Sequence, residues 1–131
     1  MRRAPNGRGL PDAERRRLCE EFLSALQQDD LARLIAVVGP HPRVVVDTGE
    51  QPVAEPSHLA EPLIAWSILF RALRIGSVSA LSWEAHSVNG APGLVGRRSG
   101  RVVAVVAVSG VVGAVTDVWI VENPEKLRHW Q

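Results

Sequence analysis

The sequence has 131 residues, a length that suits one domain able to bury a hydrophobic core without disulfides or metals. Its formal net charge is +1 and 46% of its residues are hydrophobic, which argues against a disordered chain and a strongly basic nucleic-acid-binding protein. Cys19 is the single cysteine, which excludes an intrachain disulfide and a cysteine-rich zinc site. No apolar run reaches the roughly 18 residues of a membrane span, and no secretory signal is recognisable, so we expect a cytoplasmic protein without membrane contact.

The first eleven residues differ in composition from the rest of the chain. They interleave arginine with proline and glycine, at Arg2, Arg3, Arg8, Pro5, Gly7, Gly9 and Pro11. This composition predicts a flexible basic leader at residues 1–11, solvated rather than bound to nucleic acid, and a single domain at residues 12–131.

Two amphipathic helices are predicted to open the domain. From Asp12 onward, apolar residues share one face at helical spacing, at Leu18, Phe22, Leu23 and Leu26. Asp29-Asp30 then supplies a capping carboxylate for a second, shorter helix at residues 31–38, which we expect Gly39-Pro40 to end.

A strand, a turn and a third helix follow. The β-branched run at residues 43–47 predicts a strand, and residues 47–50 supply turn chemistry before a short second strand at Val53. Residues 57–75 are too long for a strand and are apolar around more than half of a helical circumference, which predicts a largely buried helix. Pro62 either lies in the first turn of a helix beginning at about Glu61 or kinks that turn.

The rest of the chain predicts a four-stranded antiparallel meander at residues 78–88, 94–98, 101–108 and 111–121. Asn89-Gly90 is a strong two-residue hairpin signal, Ser99-Gly100 marks the next turn, and the third turn falls within residues 109–113. Asn123-Pro124 ends the last strand, and we expect a short tail after it rather than another element.

This order of elements predicts an α+β fold, because strands and helices do not alternate as they do in a doubly wound parallel sheet. A strongly curved, mixed or antiparallel sheet would wrap around the long helix as a cone, with the two N-terminal helices beside it. The open end of such a cone is the expected position of a ligand pocket. The fold by itself assigns no activity.

Three motifs occupy defined places in this order: Asp47-Thr48-Gly49 after the first strand, the hairpin residues Asn89, Gly90 and Pro92, and Asn123-Pro124-Glu125-Lys126-Leu127 after the last strand. Together they resemble the C-terminal SnoaL-like extension of a group of extracytoplasmic-function RNA polymerase sigma factors. The resemblance covers about residues 12–127 and implies the cone of the nuclear-transport-factor-2-like superfamily. It also implies a regulatory module that packs on the DNA-binding regions of a sigma factor.

The chain departs from that family's pattern in its first loop. The family's loop is Asp-Gly-Gly-Gly-Lys, whereas Thr48, Glu50 and Gln51 here replace two glycines and the lysine. The terminal motif differs only by Glu125 in place of aspartate. Residues 1–11 leave no room for the helical promoter-reading regions of such a sigma factor, so we expect no direct promoter recognition, and either a free-standing relative or the extension alone.

Two carboxylates are the candidate catalytic or ligand-binding groups. Asp47 closes the first strand, where members of the superfamily resembled here tend to place a carboxylate near the cavity mouth; apolar surroundings would raise its pKa and let it act as a general base. The alternative is that Asp47 caps the turn through its own backbone. Asp117 is predicted to share a strand face with Val115 and Trp119, facing a cavity or a dimer surface. An arginine from a neighbouring strand could pair with it, at Arg97, Arg98 or Arg101.

Aromatic and histidine residues add little catalytic chemistry. Trp66, Trp83 and Trp119 either line an apolar ligand pocket or fill the core and a dimer interface. The chain has no tyrosine to polarise a substrate carbonyl as in ketosteroid isomerase-like sites, which argues against isomerase chemistry of that type. His86 is predicted on an exposed strand face with Ser82 and Glu84. The histidines lack metal-ligand spacing and phosphate-loop motifs are absent, so we expect neither a metal nor a cofactor.

Three functional hypotheses follow. The first is a non-enzymatic SnoaL-like regulatory or small-ligand-binding domain, homodimeric through its exposed sheet face, with residues 123–127 locking the end of the sheet or contacting a partner. The second is a small-molecule isomerase or cyclase with Asp47 as general base and Asp117 as a second acid or orienting group. The third is a protein-interaction module acting on a sigma factor or RNA polymerase.

Overall fold

The computed structural model describes residues 10–49, 62–74 and 81–131. Its elements are α1 (Asp12–Gln27), α2 (Leu31–Val37), β1 (Val38–Asp47), α3 (Pro62–Leu73), β2 (Ser82–Val88), β3 (Ala91–Arg98), β4 (Arg101–Val111), β5 (Ala114–Val121), α4 (Pro124–Leu127) and a 3₁₀ turn (Arg128–Trp130). The expected leader up to Gly9 and the expected short strand at Val53 lie outside the described residues. None of the described helices is long and apolar enough to cross a membrane.

The described strands form one mixed sheet in the order β1-β5-β4-β3-β2. Strands β2 to β5 pair antiparallel as successive hairpins, as the meander prediction requires, and β1 pairs parallel to β5. Helices α1, α2 and α3 pack against one face of this sheet and share its main hydrophobic core, centred on Phe22, Leu69, Leu94 and Ile120. The predicted α+β cone is confirmed.

Local signals set most helix and hairpin boundaries as expected. The Asp30 carboxylate accepts a hydrogen bond from the Arg33 backbone N–H at 3.1 Å and caps α2. Helix α3 includes Pro62 as its first described residue, which agrees with proline in the first turn. Asn89 and Gly90 have φ of 52° and 81°, the left-handed values that a tight type I′ hairpin turn requires.

The segment after α2 differs from the prediction. Helix α2 ends at Val37, one residue before its predicted end, but β1 begins at Val38 rather than at Arg43, so Gly39 and Pro40 belong to the strand. The register between β1 and β5 shifts between Val38 and Arg43. This irregularity tolerates proline, because a residue without an N–H costs no ladder hydrogen bond where the ladder is interrupted.

Strand β5 contains an irregularity that the alternating pattern concealed. Ser109 pairs with Asp117 and Gly110 with Val115, so Thr116 is an extra residue on β5. The extra residue reverses the alternation: Val115 belongs to the helix-covered core, whereas Trp119 packs against a smaller cluster on the opposite, outer face. The prediction that Asp117 shares its face with Val115 is therefore wrong.

The tail after Asn123-Pro124 is not the plain extension that we expected. Asn123 caps the one-turn helix α4 by accepting the Glu125 backbone N–H at 3.0 Å, and Pro124 occupies its first position. Leu127 and Trp130 then pack on the outer face of the sheet beside Val105. The tail folds because this packing buries Leu127, which is 6% exposed.

Candidate functional site

The end of β1 and the tail meet at a cluster formed by Asp47, Gly49, Asn123 and Lys126, which we call the loop–tail contact. The Lys126 ammonium nitrogen Nζ lies 2.6 Å from Asp47 Oδ2. The Asn123 amide Nδ2 donates to Asp47 Oδ1 at 3.4 Å, and the Gly49 backbone N–H donates to the same oxygen at 3.0 Å. The sheet brings these residues together because β1 and β5 run parallel and end side by side, with Asp47 opposite Val121.

The surroundings of Asp47 hold its carboxyl in the charged state. The hydrogen bond from Lys126 lowers the pKa of Asp47 below its ordinary value, partial burial opposes this shift, and the Gly49 N–H, the Lys126 charge and Asn123 lower the pKa further. The hypothesis of a general base requires a raised pKa, and the direction found is the opposite. The turn-capping interpretation agrees with the hydrogen bond from Gly49.

Asn123 and Gly49 fit each other closely. The Asn123 carboxamide donates through Nδ2 to Asp47 while its oxygen caps α4. Gly49 has φ of +89°, and a Cβ at this position would lie 2.8 Å from Asn123 Oδ1. A side chain at residue 49 would therefore displace the asparagine, so glycine at this position has a steric reason.

Asp117 lies away from the loop–tail contact. Its Oδ1 is 3.4 Å from Arg43 Nε, and its Oδ2 accepts the Thr116 hydroxyl at 2.9 Å. We expected its partner among Arg97, Arg98 and Arg101, but Arg43 pairs with Asp117 in the parallel register and Arg97 binds Glu84. Because Arg43 lies opposite Asp117, Asp47 is four residues farther along β1, a displacement of about 13 Å along the strand direction. Asp47 and Asp117 therefore do not form a paired acid and base.

The three candidate tryptophans are divided between the two faces of the sheet. Trp83 is 7% exposed within the helix-covered core, and Trp66 packs against that core with its ring centroid 5.3 Å from that of Phe70. Trp119 packs on the outer face with the tail. The prediction of a single pocket lined by all three tryptophans is therefore wrong, because the sheet separates Trp119 from the other two.

Comparison with known structures identifies the fold. The chain matches the extracytoplasmic-function sigma factor SigJ of Mycobacterium tuberculosis with a TM-score of 0.59 and 17% identity, over 88% of this chain and 44% of that one. It matches an LEH-like epoxide hydrolase of M. tuberculosis with a TM-score of 0.55 and 16% identity, over 90% and 89% of the two chains. A nuclear-transport-factor-2-like protein of Burkholderia xenovorans gives a TM-score of 0.50 and 18% identity, over 92% and 98%.

The chain has a nuclear-transport-factor-2-like fold. It spans less than half the length of SigJ. No protein-family model matches the sequence, and no curated protein matches it significantly. At these identities the three structures establish a shared fold, as the sequence motifs predicted. An activity must be argued from the side chains of this chain.

Two sizeable cavities of this nuclear-transport-factor-2-like domain are lined by described residues. One, of about 390 Å³, lies between α1 and the β2–β3 hairpin and includes the motif residues Gly90 and Pro92. Cys19 also lines it, and burial raises the pKa of its thiol to about 11. The other, of about 380 Å³, lies between the end of α3, the start of β4 and the tail. Neither Asp47 nor Asp117 lines either cavity.

His86 occupies the exposed strand face predicted for it, and its ring meets Trp130 edge-on at a centroid distance of 5.5 Å. Asn89, at the tip of the same hairpin, is exposed and serves the turn. Within the described ranges no group of three histidine, cysteine, aspartate or glutamate side chains is arranged to hold a metal ion.

Sequence reasoning missed the contacts that tie the tail to the sheet. The Gln131 side chain accepts from the Val102 backbone N–H at 3.1 Å and donates to its carbonyl at 3.0 Å, as an added strand would. Arg74, just after α3, pairs with Glu122 at 3.4 Å. No local pattern announces either contact, because the partners come from separate elements.

Proposed function

We propose that this chain is a non-enzymatic regulatory module of the SnoaL-like type that acts on a sigma factor or RNA polymerase through the surface around the loop–tail contact. The observation that carries the proposal is the engagement of Asp47 by Lys126, Asn123 and Gly49. This arrangement uses the best candidate base as a structural anchor. The fold shared with SigJ supports the choice of partner class.

The chemistry of Asp47 favours this proposal over the isomerase or cyclase hypothesis. A carboxylate that is ionised and already bound by an ammonium group is a weak proton acceptor, because abstraction of a substrate proton would first require loss of the Lys126 interaction. Asp117 has Arg43 and Thr116 as partners and lies too far away to assist.

The surface offered to a partner combines charge with shape. Lys126 is 61% exposed and Glu125 is exposed beside it, so the tail presents both signs of charge next to the anchored loop. A partner can bind this surface without breaking the fold. The groove between α1 and the β2–β3 hairpin is large enough for a small apolar ligand that modulates such binding. A cytoplasmic location and a homodimer formed through the exposed sheet face remain parts of the proposal.

A charge-swap experiment tests the partner role. Sigma factors and RNA polymerase from the source cells are mixed with the tagged wild-type chain, Lys126→Asp, and the double variant Asp47→Lys with Lys126→Asp. The double variant re-forms an ion pair with reversed polarity but loses the two hydrogen bonds that Asp47 accepts from Gly49 and Asn123, so the melting temperature of each variant is measured first and binding is compared between folded proteins. We expect an identified sigma factor or the polymerase to bind the wild-type chain and to bind neither variant.

Two results would count against the proposal. One is the absence of binding to every purified sigma factor and to the polymerase. The other is turnover of a small molecule by the wild-type chain that disappears in Asp47→Asn, since that would return the carboxylate to a catalytic role.

A further inference from the structure

We propose that the cavity between the end of α3, the start of β4 and the tail binds a small phosphorylated molecule. Three arginines from separate elements line it, Arg74, Arg101 and Arg128, against one carboxylate, Glu122. Apolar side chains form much of the remaining wall, at Val102, Val103, Pro124 and Leu127. We call this space the arginine cavity. The inference does not depend on the proposed regulatory role.

The guanidinium groups retain donors for a ligand. Arg101 is exposed and pairs with no carboxylate in the part of the chain that the structure describes. Arg128 binds Glu125 at 3.4 Å, but both side chains are more than two-thirds exposed, and such a pair is readily exchanged for a stronger one. Each guanidinium group carries five N–H donors in a planar fork that matches the oxygen atoms of a phosphate.

Arg74 is held toward the arginine cavity by its backbone and by Glu122. It has φ of +59°, a left-handed conformation that costs free energy for a residue with a side chain. Its Nη1 donates to the Ala72 carbonyl at 3.3 Å and lies 3.4 Å from Glu122 Oε2. Two fixed contacts orient the guanidinium group, and its Nε and Nη2 carry further donors.

The size and the wall composition narrow the ligand class. A volume of about 380 Å³ lies within the range of small-molecule sites, and it exceeds what a single inorganic anion fills. The arginines suit a phosphate group, whereas Val102, Pro124 and Leu127 suit an apolar or planar body attached to it. A small phosphate ester meets both requirements.

The β3–β4 hairpin provides a matched pair of variants. Arg98 and Arg101 face each other across the Ser99-Gly100 turn, both are exposed, and only Arg101 lines the arginine cavity. Arg101→Ala and Arg98→Ala therefore remove the same charge from neighbouring positions, and an equal melting temperature for the two shows that folding is not the cause of a difference. The probes are pyrophosphate, adenosine 5′-monophosphate and adenosine, titrated calorimetrically at physiological salt.

We expect pyrophosphate or adenosine 5′-monophosphate to bind the wild type and adenosine not to bind. Arg101→Ala should weaken binding roughly tenfold, the typical effect of losing a charge-assisted hydrogen bond, while Arg98→Ala leaves it unchanged. Glu122→Gln should strengthen binding, because the amide oxygen still accepts from Arg74 while the negative charge that repels a phosphate is removed. The proposal is overturned if neither phosphate probe binds at millimolar concentration, if both arginine variants weaken binding equally, or if adenosine binds as well as its monophosphate.

Discussion

Lys126→Ala removes one side chain from the loop–tail contact while the other contacts of Asp47 remain. The Lys126 side chain is 61% exposed and that of Asp47 is 22% exposed. Exposed ion pairs contribute about 0.2–1 kcal/mol, and the short Nζ to Oδ2 distance together with the partial burial of Asp47 places this pair at the upper end, about 1 kcal/mol. For a domain of this length, that corresponds to a fall in melting temperature of about 3–5 °C.

The measurement is the free energy of unfolding from urea titrations, followed by tryptophan fluorescence at pH 7 and low salt. Arg17→Ala is the matched control. It breaks an ion pair of 3.6 Å with Glu21 on α1, in which the side chains are 70% and 44% exposed. We expect the control to lose at most about 0.5 kcal/mol. The difference between Lys126→Ala and the wild type should shrink as salt rises.

The same pair predicts a pH dependence. Because the pKa of Asp47 in the folded protein lies below its ordinary value of 3.8, the stability from its charged form is fully present above that value. This stability is lost as the pH falls through the lower, folded-state pKa. The difference between the wild type and Lys126→Ala should therefore be constant from neutral pH down to about pH 4 and shrink below it. An effect of Lys126→Ala no larger than that of Arg17→Ala, or one that persists undiminished in strong acid, would refute this account of Asp47.

Three further outcomes are expected. Leu127→Ala should cost about 2–3 kcal/mol of unfolding free energy in urea, because it removes a buried side chain from the outer cluster; a loss below about 1 kcal/mol would mean that the tail does not pack there. Gly49→Ala should reduce the free energy of unfolding by about 1–2 kcal/mol and so lower the melting temperature, because residue 49 has φ of +89° and the new Cβ would meet Asn123. An unchanged melting temperature would contradict the close fit between Gly49 and Asn123. Cys19, with its thiol pKa raised to about 11, should react with a disulfide reagent at pH 8 far more slowly in the native protein than in urea; equal rates would exclude the burial.

The element order was predictable because its signals are local. An aspartate before an apolar run caps α2, and Asn89-Gly90 closes a hairpin, since each acts within one turn of its own position. The motifs led to the nuclear-transport-factor-2-like fold. The helical form of the tail was also predictable from the sequence, because Asn123 is a capping residue and is followed by proline at the first helical position, a common start of a helix.

The pairing of side chains was not predictable from the same patterns. An extra residue at Thr116 moves Val115 to the face opposite Trp119, since strand alternation has a period of two and one insertion inverts it. The predicted partner of Asp117 was wrong for a related reason. The parallel register of β1 on β5 places Arg43 beside it, and neither strand carries a local sign of that register.

The sequence alone therefore determined the order of α1 to α3 and β1 to β5, the hairpin turns between β2 and β4, and which motifs stand at the ends of β1 and β5. The tertiary structure alone decided that those motifs touch. Asp47 and Lys126 are 79 positions apart in the chain, and their 2.6 Å contact depends on where two parallel strands end and on the turn that Asn123 caps. That geometry made Asp47 an ionised anchor rather than a base, because the pKa of a carboxyl group depends on the charges that folding brings beside it.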